Sequence, residues 1–257
     1  MRRSALYWTL HDSGMMTIRS IRHMLRSPES LLLSVGLPVM LMLLFVYVFG
    51  GAIQTGGEYI NYIVPGVIVT CVGYGSSMTA MSVALDMNGG LFDRLRSMPA
   101  RPAALLGGHV LGTYVKSLLG TLLVFLCAIA IGFRPSATLL DWLGIFAILS
   151  LFLLAISWLA VVFGLVAGSA ETASAFSFFI MFLPYVSSAF VPTETMPSWL
   201  HAFAAHQPMT PLIETLRGLL IGTPIGNQAV WAVVWFGGML LLSATVASIL
   251  FHRRRKV

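Results

Sequence analysis

The side chains able to do chemistry are few in this sequence, and they stand far apart. Of 257 residues, nine are Asp or Glu, six are His and two are Cys. The acids are Asp12, Glu29, Glu58, Asp86, Asp93, Asp141, Glu171, Glu194 and Glu214, all in polar connections or at the ends of apolar runs. The histidines are scattered, and neither an H-E-x-x-H pattern nor paired cysteines occur, so no metal site is expected. The nearest approach to a phosphate-cradling loop, Gly112 through Lys116 and Ser117, has the wrong spacing. Cys71 and Cys127 each lie inside an apolar run, which argues against a disulfide framework. An ion-driven carrier, like an intramembrane hydrolase, needs an ionisable group near the membrane midplane, and no acid is placed to serve. No catalytic set is expected. If this chain moves anything uphill, the energy arrives from another chain.

One stretch stands apart, residues 86–101, DMNGGLFDRLRSMPAR, the only well-charged segment in the middle of the sequence. Leu91, Phe92, Leu95 and Met98 share one face of a short helix, while Asp93, Arg94 and Arg96 fall mainly on the others. Gly89 and Gly90 let the backbone turn, and Pro99 and Pro102 bring the short helix to a stop. Such a helix has no core of its own to fill. Its apolar face must lie on lipid headgroups, on its own chain, or in a groove of a soluble partner.

The elements that must position this stretch are apolar. Hydrophobic residues make up 58% of the chain and charged ones 9%, against about 25% charged for soluble domains. This is the composition of a polytopic all-α membrane protein, a single membrane domain over 1–257. The net charge of +6 reflects membrane topology, and nucleic acid is not an expected partner. Six apolar segments approach or exceed the ~20 residues a spanning helix needs. They are 31–50, 60–85, 104–132, 141–167, 172–192 and 228–251. Pro38, Pro65 and Pro184 lie in or beside them, tolerable where neighbours satisfy the freed carbonyl. The small-residue pairs Gly108/Gly112 and Gly164/Gly168 could bring helices close.

Residues 4–28 form an amphipathic helix that lies on the membrane surface or packs on the protein itself, ended by Pro28. The charged first 30 residues give no cleavable signal. Twelve of the fifteen Lys and Arg fall in the N-terminal segment, in 86–101 or at the C-terminus, leaving Arg134 and Arg217 opposite and Lys116 in the third span. The positive-inside rule therefore puts both termini in the cytoplasm. His109 and Lys116 are expected in the cytoplasmic first turns of the third span, Lys116 reaching back to the interface or acting as an intramembrane cation.

Residues 193–222 are cut by Pro197, Pro208 and Pro211 into pieces too short to cross. Two short helices are expected, 197–206 and 211–221. The second starts at Thr210-Pro211 and stops at Gly222, with Leu212, Leu216, Leu219 and Leu220 on one face. The pair forms either a re-entrant hairpin from the outer side or a lid lying on that surface.

The pattern Asp86-x-x-x-Gly90-x-x-Asp93-Arg94-Leu95-Arg96-Ser97-Met98-Pro99, with six spans and an amphipathic N-terminal helix, resembles the type-2 ABC exporter permeases. The stretches Phe190 to Trp199 and His206 to Pro211 are most similar to the daunorubicin-resistance branch of that family. The resemblance covers essentially the whole chain. It implies the membrane subunit of an ATP-driven exporter of a drug, a lipid or a lipid-linked glycan in the cytoplasmic membrane. It further implies that 86–101 is the coupling helix, seated in a groove of a separate ATPase, with 4–28 as connecting helix. The assembly implied is a permease homodimer with two ATPase copies, which bind the ATP and Mg; no cofactor is expected in this chain. Many relatives open the coupling loop with a Glu-rich run. Here Met87-Asn88-Gly89-Gly90 stands instead, which shifts weight to Phe92, Asp93, Arg94, Leu95 and Arg96 beside Asp86, Leu91 and Met98. The implied substrate path follows spans two and five, where Tyr74, Ser77, Thr79, Ser174, Ser177, Ser187 and Ser188 are the candidate lining residues. A stand-alone secondary carrier or channel, or a non-transporting membrane scaffold, are the other readings of the same composition.

Overall fold

A computed structural model of the chain describes residues 35–53, 55, 57–89 and 102–254. The connecting helix 4–28 and residues 90–101, with Leu91, Phe92, Asp93, Arg94, Leu95, Arg96 and Met98, lie outside the described residues. Every regular element among the described residues is helical. They are α1 (Leu37–Leu44, continued by a π-helical turn Phe45–Phe49), α2 (Tyr59–Asn88), α3 (Pro102–Ile131), α4 (Leu139–Val166), α5 (Ala170–Phe182), α6 (Ser198–His206), α7 (Met209–Ile221) and α8 (Gln228–Arg254).

Four of these are long and apolar enough to cross a membrane: Tyr59–Met87, Leu106–Ile131, Leu139–Val166 and Gln228–Phe251. The stretches Leu37–Phe49 and Ala170–Val186 are apolar but shorter. The ends of the long helices follow local chemistry. Pro102 opens α3, where its missing N–H costs nothing. Gly132, at φ 123°, ends it in a conformation few other residues adopt. Thr138 and Asp141 form a reciprocal capping box at the start of α4. Ser169 caps α5 by accepting from Thr172 N, so α4 and α5 are joined by a very short link.

α2 is the centre of the bundle, packed against α1, α3, α4, α5 and α7, while α8 lies along α4 and α7. Lipid offers helices no hydrophobic gain from pairing, so close approach and hydrogen bonds must hold them. The approach is close at two glycines. A Cβ on Gly164 would stand 2.6 Å from Val83 Cβ, and one on Gly66 would stand 2.6 Å from Ala189 Cβ. A Cβ on Gly168, by contrast, would meet nothing within 4 Å. Ile63, Leu153, Ile156, Leu212 and Leu216 fill the interior, and Phe152 meets Phe236 of α8 edge-on at 5.0 Å. Outward, Leu122, Leu123 and Leu126 of α3 and Val233, Val234, Leu241 and Leu242 of α8 are exposed, as a lipid-facing surface requires.

Several boundaries differ from the sequence expectation. The segment expected as a span to residue 192 leaves the α-helix at Phe182, makes a 3-10 turn over Leu183–Val186, and turns back at 187–190. Pro184 has no N–H to continue the ladder, and Ser187 Oγ caps the turn by donating to Pro184 O at 2.5 Å. α2 runs to Asn88, so Asp86 belongs to its last turn instead of the loop, which begins at Gly89. α7 starts at Met209, not Pro211. Thr210 is no N-cap, because its hydroxyl is taken by Ala204 O (2.6 Å) and by Ser188 N (3.3 Å). The stop at Gly222 is where the sequence placed it, in the left-handed region at φ 76°. Lys116 stands some four turns into α3, ~21 Å from its start at 1.5 Å per residue, deeper than the first turns expected for it.

Candidate functional site

Two polar regions occupy opposite ends of α2. At the end next to residues 90–101, Asp86 of α2 meets His109 of α3, Oδ2 to Nε2 3.1 Å. A polar seam continues from this pair between the two antiparallel helices. His109, Thr113, Ser117 and Thr121 recur every fourth residue, so they form one stripe of α3. Thr79 of α2 shares a 2.6 Å hydroxyl pair with Thr113, and Thr113 also donates to His109 O at 2.8 Å. One turn on, Ser117 Oγ lies 2.9 Å from where a Cβ on Gly75 would stand. Ser117 Oγ and Thr121 Oγ are buried with no partner among the described residues. On another face of α3, Tyr114 and Ser150 of α4 join hydroxyls at 2.8 Å. These contacts tie α2 and α3 together from the residue-90 end into the middle of the bundle.

At the other end of α2, the segment 183–190, a 3-10 turn followed by a reversal, is held by side chains from elsewhere. Non-helical backbone inside a membrane domain is tolerated only when its N–H and C=O groups find partners. Gln207 Nε2 donates to Leu183 O (3.3 Å) and Val186 O (3.2 Å). Thr210 Oγ accepts from Ser188 N, and Tyr59 OH donates to Phe190 O at 2.7 Å. Arg217 is the hub. It is 4% exposed, yet its guanidinium donates to Ser188 O (2.7 Å) and to Tyr62 O (3.0 Å from Nη2, 3.2 Å from Nε). It also pairs with Glu214 one turn back on α7 and lies 3.7 Å over the Tyr62 ring. Sequence reasoning placed Arg217 merely as one of two outer-side cations. Its signal was an Arg flanked at i−4, i+3 and i+4 by Ile213, Leu220 and Ile221, where a solvated cation has no reason to be.

The candidate path residues do not converge on one opening. Tyr74 of α2 and Tyr185, in the turn after α5, approach hydroxyl to hydroxyl at 3.4 Å. Thr79 faces α3, not α5. Ser187 is spent on its own turn, and Ser188 is buried with its backbone pinned and its Oγ unpartnered among the described residues. The side chains of Ser77, Ser174 and Ser177 lie outside the described residues. Beside this region runs a row of rings: Phe178, Phe182, Tyr185, Phe190, Phe45 and Phe49 stand in succession, their centroids 4.8–5.8 Å apart. Among the described residues no group of three or more metal-binding side chains comes together.

Among the described residues the arrangement is a polar seam between α2 and α3 and a hydrogen-bonded clamp on segment 183–190. Residues 13–221 match the family model described as ABC-2 type transporter. The chain is 32% identical over 198 residues to a daunorubicin resistance ABC transporter permease protein of Streptomyces coeruleorubidus, covering 76% of this chain and 70% of that one. It is 25% identical over 225 residues to a probable doxorubicin resistance ABC transporter permease protein of Mycobacterium tuberculosis, covering 84% and 79%.

Proposed function

The chain belongs to the ABC-2 type transporter family and is the permease of an ABC exporter, and we propose that it carries an amphipathic substrate outward across the cytoplasmic membrane. Of a drug, a lipid and a lipid-linked glycan, the resistance names of its relatives favour the drug. The chain has no catalytic activity of its own. ATP and Mg are bound by a separate ATPase, present in two copies, and two copies of this permease pair to form the path. Both termini are cytoplasmic, the chain crosses six times, and 193–222 enters and leaves the membrane from the outer side.

The observation that carries the coupling mechanism is the Asp86–His109 pair at the end of α2 and α3 that flanks residues 90–101. A displacement of that segment reaches both helices at once. In this mechanism Phe92, Leu95, Leu91 and Met98 seat in a groove of the ATPase, with Asp93, Arg94 and Arg96 at its rim. Closure of the ATPase pair moves the segments, α2 and α3 follow through their shared seam, and the spans re-pack about the dimer interface. The aromatic row and the Tyr74–Tyr185 pair give a flat apolar substrate rings to stack on.

The test is assembly and stimulation. The purified permease should bring down an ATP-binding subunit, and Phe92→Ala or Arg94→Ala should lower substrate-stimulated ATP hydrolysis by the assembled complex. Transport by the permease alone, driven by an ion gradient, would overturn the proposal. So would full stimulation in both variants.

A further inference from the structure

The hairpin of α6 and α7 presents one face, with Trp199 and Phe203, that is left exposed among the described residues. Its level in the bundle follows from hydrogen bonds. Gly66 lies seven residues into α2, ~10 Å from the start of that helix at 1.5 Å per residue, and Ala189 packs directly on it. Ser188 N and Ala204 O both bond Thr210 Oγ. The end of α6 and the beginning of α7 therefore sit at the level of Gly66, inside the bundle. α7 then climbs back. Leu219 touches Gly144, and Ser136 N donates to Leu220 O at 2.9 Å, next to the start of α4. α6 covers the same interval on the way in, nine residues or ~13 Å.

The neighbouring spans show what surrounds this interval. Leu139 and Leu140, in the first turn of α4, are 82% and 77% exposed. Trp231 and Trp235, in the first two turns of α8, are also exposed, and Trp142 of α4 is at the same end. Apolar side chains left bare at the very start of spanning helices mark lipid, and tryptophans mark its boundary with water. α6 carries Trp199 at 74% and Phe203 at 53% exposure on one face, while Ala204 is packed inward. Trp199 is one turn nearer the outer end than Phe203, about 6 Å. That is the order in which an amphipathic indole and a purely apolar ring partition at an interface.

We propose that α6 is a lipid anchor, its Trp199 at the headgroup boundary and its Phe203 among the acyl chains of the leaflet away from residues 90–101. This deepens the reading of 193–222 as a membrane-depth hairpin by naming what its outer face touches. It does not depend on the substrate or on the ATPase. Through Thr210, Gln207 and Arg217 the anchored hairpin holds segment 183–190, so bilayer composition acts on the outer end of the bundle.

The full-length protein is reconstituted in phosphatidylcholine vesicles with Trp8, Trp142, Trp158, Trp231 and Trp235 replaced by Phe. Trp199 emission should be quenched most by a nitroxide placed near the headgroup. In a Trp199→Phe, Phe203→Trp partner variant, quenching should be greatest with the nitroxide further down the chain, and aqueous iodide should quench neither strongly. Iodide quenching of both without lipid quenching would overturn the anchor and the membrane-depth hairpin together. Protection from both quenchers would overturn the anchor alone, placing a second copy of the chain over α6. If the multiple replacement fails to fold, single nitroxides at Trp199→Cys and Phe203→Cys on a Cys71→Ala, Cys127→Ala background give the same decision. There, collision with oxygen over a nickel chelate supports lipid contact, and the reverse overturns it.

Discussion

Arg217 Nη2 donates to the carbonyl of Ser188 at 2.7 Å, joining two residues that the sequence keeps 29 positions apart and that lie on different elements. The bond puts a cation into the interior of an apolar bundle, and the bundle accepts it because three of the cation's four other donors are also used. Two go to Tyr62 O and one to Glu214, while the Tyr62 ring lies under its plane. A planar five-donor group suits this task better than an ammonium.

Removing the hub should therefore cost more than an ordinary surface arginine. Arg217→Ala leaves the Ser188 and Tyr62 carbonyls without their guanidinium donors, an expected loss of about 1–3 kcal/mol for each buried acceptor left unpaired. Arg217→Lys should recover only part of it. Thermal unfolding of the detergent-purified protein checks both, and an unfolding temperature unchanged in the Ala variant would contradict the clamp.

The seam between α2 and α3 makes an opposite pair of expectations. Thr79→Val breaks the hydroxyl pair with Thr113, but Thr113 still has His109 O, so the loss should be small, about 0.6 kcal/mol on the scale of membrane hydrogen bonds. Ser117→Ala removes a buried hydroxyl with no partner among the described residues and should be neutral or stabilising. The same melting experiment, run as a series, distinguishes the two positions.

Close approach predicts a contrast between glycines. Gly66→Ala drives a methyl into Ala189 and its backbone, and overpacking of this kind costs roughly 1–3 kcal/mol. Gly237→Ala, where an added Cβ meets nothing within 4 Å, should be tolerated and even slightly stabilising through helix propensity. A Gly66→Ala variant as well tolerated as Gly237→Ala would show that α2 and segment 183–190 are not in contact.

Asp86 and His109 should act as a coupling pair and not as independent charges. Asp86→Asn or His109→Ala is expected to reduce ATPase stimulation in the assembled complex several-fold, because the pair joins the ends of α2 and α3 beside residues 90–101. The exchanged double variant Asp86→His, His109→Asp should regain part of the stimulation. Equal stimulation in wild type and both single variants would separate the pair from coupling.

The sequence was most legible where structure depends on neighbours along the chain. Gly222 stops α7 because only local backbone geometry is involved, and the two short helices of the hairpin follow from proline spacing that any context would respect. Long apolar runs became long helices for the same reason, since a spanning backbone must satisfy its own hydrogen bonds. It was least legible where a residue answers to a partner far away. Thr210 reads as a helix cap, but Ala204 and Ser188 claim its hydroxyl. Residues 187–192 read as the end of a span, but Tyr59, Thr210 and Arg217 supply the bonds that let the chain leave the helix early.

By itself, then, the sequence determined that this chain is a helical membrane protein of apolar spans, because composition and periodicity act locally. Only the tertiary structure decided that Arg217 is a buried clamp, that α3 faces α2 with a polar stripe, and that α5 ends at Phe182. Each of these depends on which backbone groups are left unpaired once the helices pack, and that accounting exists only in three dimensions.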